Sequence, residues 1–282
     1  AEKYSGTLND IFDIQEKVAL SIVNSLRLKL TSQESKSIVL KPIQDLRAYD
    51  CYLRAKQDFW AWDIKALRRA EQNLKNGLNI IGENELIYAG LGFINFQIFN
   101  YGLEPDYSLL EKVREYANKI FKINPDSTLG VRLLGLAAMF TEPLQKASMY
   151  FSKVLEVDPN DSESLFVYSL CLIYSGRNDE AKTISNRLLK IDPLPWLNSL
   201  AVVLIFIMEG DYSNTLNQCE KIYLKEPGNP YIKFMYAYSL AYEKYYDKAF
   251  IILDEVAIEG KDFYLGSMSN FVKYCFQGDK EK

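Results

Sequence analysis

Apolar residues recur along most of the chain at intervals of three and four, the spacing that puts them on one face of an α-helix. The runs are cut by short turns carrying Gly, Pro, Asn and Asp. Near the amino terminus Ile11, Ile14, Val18, Ile22 and Leu26 form one such stripe, with Asn9 or Asp10 placed to cap the helix and Lys41-Pro42 ending the region. Ala48 to Phe59 and Lys65 to Ile81 read as a helical pair, and residues 264–276 as a closing helix. Between them the breaks become periodic. Pro125, Pro159, Pro193 and Pro227 stand 34 residues apart, in the phrases Ile-Asn-Pro-Asp, Val-Asp-Pro-Asn, Ile-Asp-Pro-Leu and Lys-Glu-Pro-Gly. Proline lacks an N–H and disfavours helix in the residue before it, so a proline at constant phase is a helix end at constant phase. The pattern predicts an all-α chain, with no strand beyond a short one near residues 2–6.

A period of 34 is that of the tetratricopeptide repeat, a helix hairpin that buries its apolar face by stacking on its neighbours. With Pro159 as position 32, Gly135, Ala147 and Phe151 fall at positions 8, 20 and 24, where the repeat is small, small and aromatic. The next unit has Ser169 and Ala181 at positions 8 and 20, and the one after has Val203 and Thr215. Ala237 and Ala249 hold the same places in the unit beginning near Pro230. Upstream, Tyr88, Leu91 and Gly92 match positions 4, 7 and 8, but Pro125 arrives nine residues late, and the breaker-rich turn Asn100 to Asp106 takes up the surplus. The expected architecture is a right-handed superhelical solenoid: an amino-terminal helical segment over 1–41, then about six hairpins and a closing helix over 42–282.

Composition narrows the function. Histidine is absent, which removes Ser-His-Asp and Cys-His catalysis and histidine zinc sites. Cys51, Cys171, Cys219 and Cys275 lie far apart with no C-x-x-C pair, so they read as free thiols rather than metal ligands. Net charge is −4 and the pI about 5.2, with Lys and Arg scattered, so no nucleic-acid surface is expected. The most apolar stretch, Trp196 to Met208, is too short to span a bilayer, which needs roughly 20 residues. No signal peptide is visible, and a start at Ala1 is what an excised piece of a longer protein would show. No nucleophile stands beside a base, and no enzyme activity, cofactor or metal is expected.

In such a superhelix the first helix of each hairpin lines the concave groove through positions 5, 9 and 13. Those positions include Arg132, Phe166, Leu170, Tyr174, Phe234, Tyr238 and Tyr242. The Lys and Asn that grip a peptide carboxylate in chaperone-binding members of the fold are missing. The apolar, tyrosine-edged surface suits an amphipathic or extended apolar peptide instead. The alternative is that these side chains are ordinary core.

Tyr4 to Glu16, containing Asp-Ile-Phe-Asp-Ile-Gln, resembles the end of the TolB amino-terminal-like domain of bacterial signalling proteins. Leu46 to Arg54, Ala66 to Ala70 and Tyr88 to Leu91 resemble the tetratricopeptide region that follows it. The resemblance implies the sensory or docking arm of a larger bacterial protein whose effector is an adenylate or guanylate cyclase, a serine/threonine kinase or a winged-helix regulator. No effector motif is present to carry catalytic residues over. The location implied is bacterial cytoplasm or periplasm. A second reading is a scaffold that self-assembles through its convex face or as a homodimer through residues 9–30.

Overall fold

The computed structural model describes residues 11–25, 42–61, 63–261 and 264–278, and all regular structure among them is helical. Helix α1 (Ile11–Ser25) carries Ile11, Ile14, Val18 and Ile22 of the amino-terminal stripe, with Ile14 and Val18 half-buried and Ile22 exposed; Leu26 lies outside the described residues. Six antiparallel pairs follow: α2 (Leu46–Asp58) with α3 (Ile64–Ile81), α4 (Glu85–Asn100) with α5 (Ser108–Ile123), and α6 (Thr128–Thr141) with α7 (Leu144–Val157). The series continues as α8 (Ser162–Tyr174) with α9 (Asn178–Ile191), α10 (Trp196–Met208) with α11 (Tyr212–Lys225), and α12 (Pro230–Tyr242) with α13 (Tyr246–Glu259). Helix α14 (Tyr264–Gln277) closes the stack against α13 and α12. The expected strand near residues 2–6 and the cap at Asn9 or Asp10 lie outside the described residues.

Helix starts follow from side chains that accept the orphan N–H groups of a first turn. Asp45 accepts from the backbone N–H groups of Arg47 and Ala48, Asp63 from those of Lys65 and Ala66, and Asn84 from those of Leu86 and Ile87. Asn229 does the same for α12, with Pro230 in the first turn, where its missing N–H costs nothing. The turns inside the pairs are also repeated. Gly176 and Gly210 have φ of 73° and 72°, and Lys244, 34 residues further on, adopts the same left-handed conformation at 67°.

The stacking rests on the small positions. Gly92, Gly135, Ser169, Val203 and Ala237 are buried on the first helices, as are Ala147, Ala181, Thr215 and Ala249 on the second. A Cβ added to Gly135 would stand 2.8 Å from Phe151 Cζ, so the glycine is what lets the ring seat between α6 and α7. The first helices α4, α8 and α12 bury residues on most of their circumference, because each is held between its own partner and both neighbouring repeats. The apolar interior falls into an amino-terminal and a carboxy-terminal cluster, and Val167 and Tyr168 of α8 pack against both.

The late arrival of Pro125 is only partly the work of the turn expected to hold the surplus: α4 and α5 run to 16 residues each where α8 and α9 have 13 and 14, and the longer turn between them takes up the rest. The turn between α4 and α5 runs from Tyr101 to Tyr107, with Gly102 at φ 65°. Its start is not a loose loop: Tyr101 is buried, and its hydroxyl accepts a 2.6 Å hydrogen bond from Gln97 Nε2. This turn also meets the far end of the stack, since a Cβ on Gly102 would lie 3.4 Å from Tyr264 Cδ1 of α14.

Candidate binding cavity on the concave face

Because the same face of every first helix turns inward, successive helices contribute to one wall. Phe93, Phe96 and Gln97 come from α4, and Leu136 and Phe140 from α6. Phe166, Leu170 and Tyr174 come from α8, and Trp196, Leu200 and Leu204 from α10. Together with Trp60 of the α2–α3 turn they surround a cavity of about 380 Å³. Trp60 and Phe140 are each 40% exposed and Tyr174 is 52% exposed, so the lining includes side chains that solvent reaches.

One end of the cavity is polar without being charged. Asn100, Tyr101, Tyr174, Tyr231 and Tyr264 join Gln97 there. Burial pushes the Tyr264 phenol up to about 12 and holds those of Tyr101 and Tyr231 well above the ordinary phenol range. Neighbouring phenols, Tyr174 and Tyr264 among them, add to the rise. All three therefore stay neutral. Tyr264, from the last helix, lines this end where it approaches Gly102.

At the other end an adjoining cavity of about 250 Å³ shares Trp60, Phe93, Leu136, Phe166, Trp196 and Leu197 with the first, but adds Arg132, Glu163 and Asp192. Arg132 donates to Asp161 Oδ1 at 3.1 Å and pairs with Glu163 Oε2 at 2.8 Å. Asp161 at the same time accepts from the Ser164 N–H at the start of α8, which ties the arginine to a helix end. Burial works against the Arg132 charge, and the two carboxylates outweigh it and raise its pKa. Beside it, burial and then the Glu163 charge push the Tyr52 phenol up to about 12. Among the described residues no three His, Cys, Asp or Glu side chains converge on a metal-sized space, and no helix is long and apolar enough to cross a membrane.

The seven groove residues expected from the sequence divide in two. Phe166, Leu170 and Tyr174 line the larger cavity, and Arg132 lines the adjoining one. Phe234, Tyr238 and Tyr242 line neither. They form an aromatic chain in which Tyr242 stacks on Tyr212 at 3.8 Å, lies 4.8 Å from Tyr238 and meets Phe276 of α14 edge-on at 5.0 Å. Phe234 is only 5% exposed. Sequence reasoning missed Phe93, Trp60, Trp196 and Tyr264. Phe93 was within reach, since it follows Gly92 and so holds position 9 of a repeat whose phase was already set. Trp60 lies in a turn and Tyr264 in the closing helix, and neither position is fixed by the period.

This helix-hairpin stack is shared with solved structures. A tetratricopeptide repeat protein from Parabacteroides merdae matches with a TM-score of 0.58 at 14% identity, covering 96% of this chain and 100% of that one. The fold is a tetratricopeptide solenoid. Yeast Tom70 superposes with a TM-score of 0.57 at 16% identity, over 93% of this chain and 57% of its own. The human IFIT1 dimer with m7Gppp-AAAA gives 0.63 at 14%, over 87% and 54%. At such identities the likeness concerns the solenoid and not what it binds. No family model matches the sequence. A stretch of 94 residues, 33% of this chain, is 33% identical to the Rhizobium meliloti (strain 1021) protein named "Putative adenylate cyclase 3", and spans 16% of that protein.

Proposed function

We propose that this tetratricopeptide solenoid is the docking arm of a larger bacterial signalling protein. It receives an apolar or amphipathic segment of a partner protein on its concave face. The observation that carries the reading is the inward wall itself: four successive first helices and Trp60 present apolar and aromatic side chains, several of them open to solvent. Aromatic anchors in such concavities dominate binding energy. The mixed charges of Arg132, Glu163 and Asp192 at the edge of the smaller cavity suit the polar face of an amphipathic segment. The signalling context is supported by the 94-residue likeness to the Rhizobium protein and by the resemblance of Tyr4 to Glu16 to a TolB-like domain, most of which lies outside the described residues. Catalysis has no part in this reading.

The test is selection of peptides from a random library on the immobilised chain, followed by affinity measurement on variants. Enriched peptides are expected to carry aromatic and aliphatic anchors. Trp60→Ser, at a partly exposed site, is expected to weaken them by ~2 kcal/mol while the melting temperature is kept. Enrichment of charged or featureless peptides, or unchanged affinity for Trp60→Ser, would sink the proposal.

A further inference from the structure

The two adjoining cavities differ in a way that peptide docking does not explain. Not one of the twenty residues lining the larger cavity carries a formal charge, whereas the smaller one has Arg132, Glu163 and Asp192 on its wall. The larger cavity is also narrowed at its far end, where Tyr264 stands against the Tyr101–Gly102 turn while Tyr174 and Asn100 remain exposed. A helix is about 10–12 Å across with its side chains, so one running through that end would have to move α14 aside. A compact molecule would not. We infer that the larger cavity is a ligand chamber, sharing its Trp60, Phe166 and Trp196 wall with the proposed partner surface, for a small, uncharged, largely aromatic molecule with a hydrogen-bonding group at one end.

Three observations converge on this class of ligand. The volume of about 380 Å³ lies within the range of small-molecule pockets, roughly 300–1,000 Å³. Trp60, Phe93, Phe96, Phe140, Phe166 and Trp196 supply ring faces and edges on the walls, which favour a planar aromatic guest. Gln97 and the phenols of Tyr101, Tyr174, Tyr231 and Tyr264 stand close enough to act on one another, so the polar groups of the wall are clustered and set which way round the guest lies. A charged ligand would give up its hydration there and meet no counter-charge. A guest seated against Trp60, Trp196 and Phe166 touches side chains that also line the smaller cavity, so its presence alters the surface a partner meets.

The experiment uses the whole chain with two dyes of similar shape, neutral N-phenyl-1-naphthylamine and anionic 1-anilinonaphthalene-8-sulfonate. The neutral dye is expected to bind at one equivalent with blue-shifted emission and to quench tryptophan fluorescence, and the sulfonate to bind at least about tenfold more weakly. Leu170→Trp, which fills the chamber from α8, is expected to abolish neutral-dye binding. Asn100→Trp, at an exposed position on its rim, is expected to do the same and serves if Leu170→Trp does not fold. Met149→Ala, on exposed α7 surface, is expected to change nothing. Equal binding of both dyes, several equivalents of neutral dye, or unchanged binding by a folded filling variant would each overturn the inference. Selected peptides that still bind the chain after such a result would leave the docking proposal standing. Loss of the peptides alone, with the dye retained, would remove the docking proposal and leave the chamber.

Discussion

Replacing Gly266 by alanine sets two effects against each other. A Cβ on Gly266 would lie 2.6 Å from Gly260 O, 2.9 Å from Gly260 C and 3.2 Å from Ala257 O, all backbone atoms at the end of α13. Rotating a side chain relieves none of these contacts, so α14 must move off α13 by most of an ångström. That overpacking costs ~1–3 kcal/mol. It also strains the 3.2 Å hydrogen bond from the Gly266 N–H to Gly260 O, a further ~1 kcal/mol. Against this, alanine favours helix over glycine by ~1 kcal/mol. The net effect is ~1–3 kcal/mol against docking of α14, or a fall of about fivefold to 150-fold in its hydrogen-exchange protection. Since repeats lean mainly on their neighbours, the loss is expected over α13, α14 and the Tyr101–Gly102 turn, with α5 to α7 unchanged. Native-state exchange read by mass spectrometry resolves these segments. Unchanged or raised protection in α14 would refute the reasoning, because helix propensity would then have outweighed the contact.

Three further outcomes are expected. Gly135→Leu should lower stability by ~1–3 kcal/mol, as the new side chain has to displace the fully buried Phe151 ring; an unaltered melting temperature would show that the α6–α7 crossing is slack. Lys244→Gly should raise stability by ~0.5–1 kcal/mol, relief of the left-handed backbone exceeding the entropy glycine adds to the unfolded chain, and a urea midpoint that fails to rise would count against it. The half-buried Glu71 carboxylate has its pKa lowered: burial opposes the shift, but hydrogen bonds from Lys75 and Arg68, both at 2.8 Å, outweigh it. A lowered folded pKa gives stability that is present above the unfolded value and lost as pH falls through the folded one. Glu71→Gln should therefore be less stable than the parent at neutral pH, with the gap narrowing as pH falls below the ordinary carboxylate range; a gap independent of pH would refute this.

The stack was legible because its signals are local. A proline, a turn glycine and two small residues recur every 34 positions, each demanded by backbone geometry or by a helix crossing. Where the small residue was replaced, the site tolerated it: Val203 and Thr215 are fully buried at positions 8 and 20. The concave wall was half legible. Positions 5, 9 and 13 named Phe166, Leu170 and Tyr174, which line the larger cavity from mid-stack, where neighbours are repeats like themselves. The same rule applied to Phe234, Tyr238 and Tyr242 met the end of the stack, where the three rings form a chain and Tyr242 packs against Tyr212 and against Phe276 of α14. Trp60 and Tyr264 reach the cavity only because the solenoid has wound far enough to bring a turn near the start and a helix near the end to one place. A period read along the chain carries no information about that closure.

The meeting of Gly102 with Tyr264 also changes how the molecule comes apart. An open array of repeats behaves as a row of dominoes: its terminal units fray independently, and a pull on the ends peels them one at a time. Here the last helix leans on the second hairpin as well as on its neighbours, so the row is bent into a loop with a clasp. Fraying from the carboxy-terminal end has to break the clasp first. Once it is broken, the chain between the two points regains the freedom of a long unconstrained loop, and closing it again carries that entropy as a barrier. Stretching one molecule between its termini should accordingly show a single early force event that precedes the peeling of individual hairpins and recovers more slowly than they do.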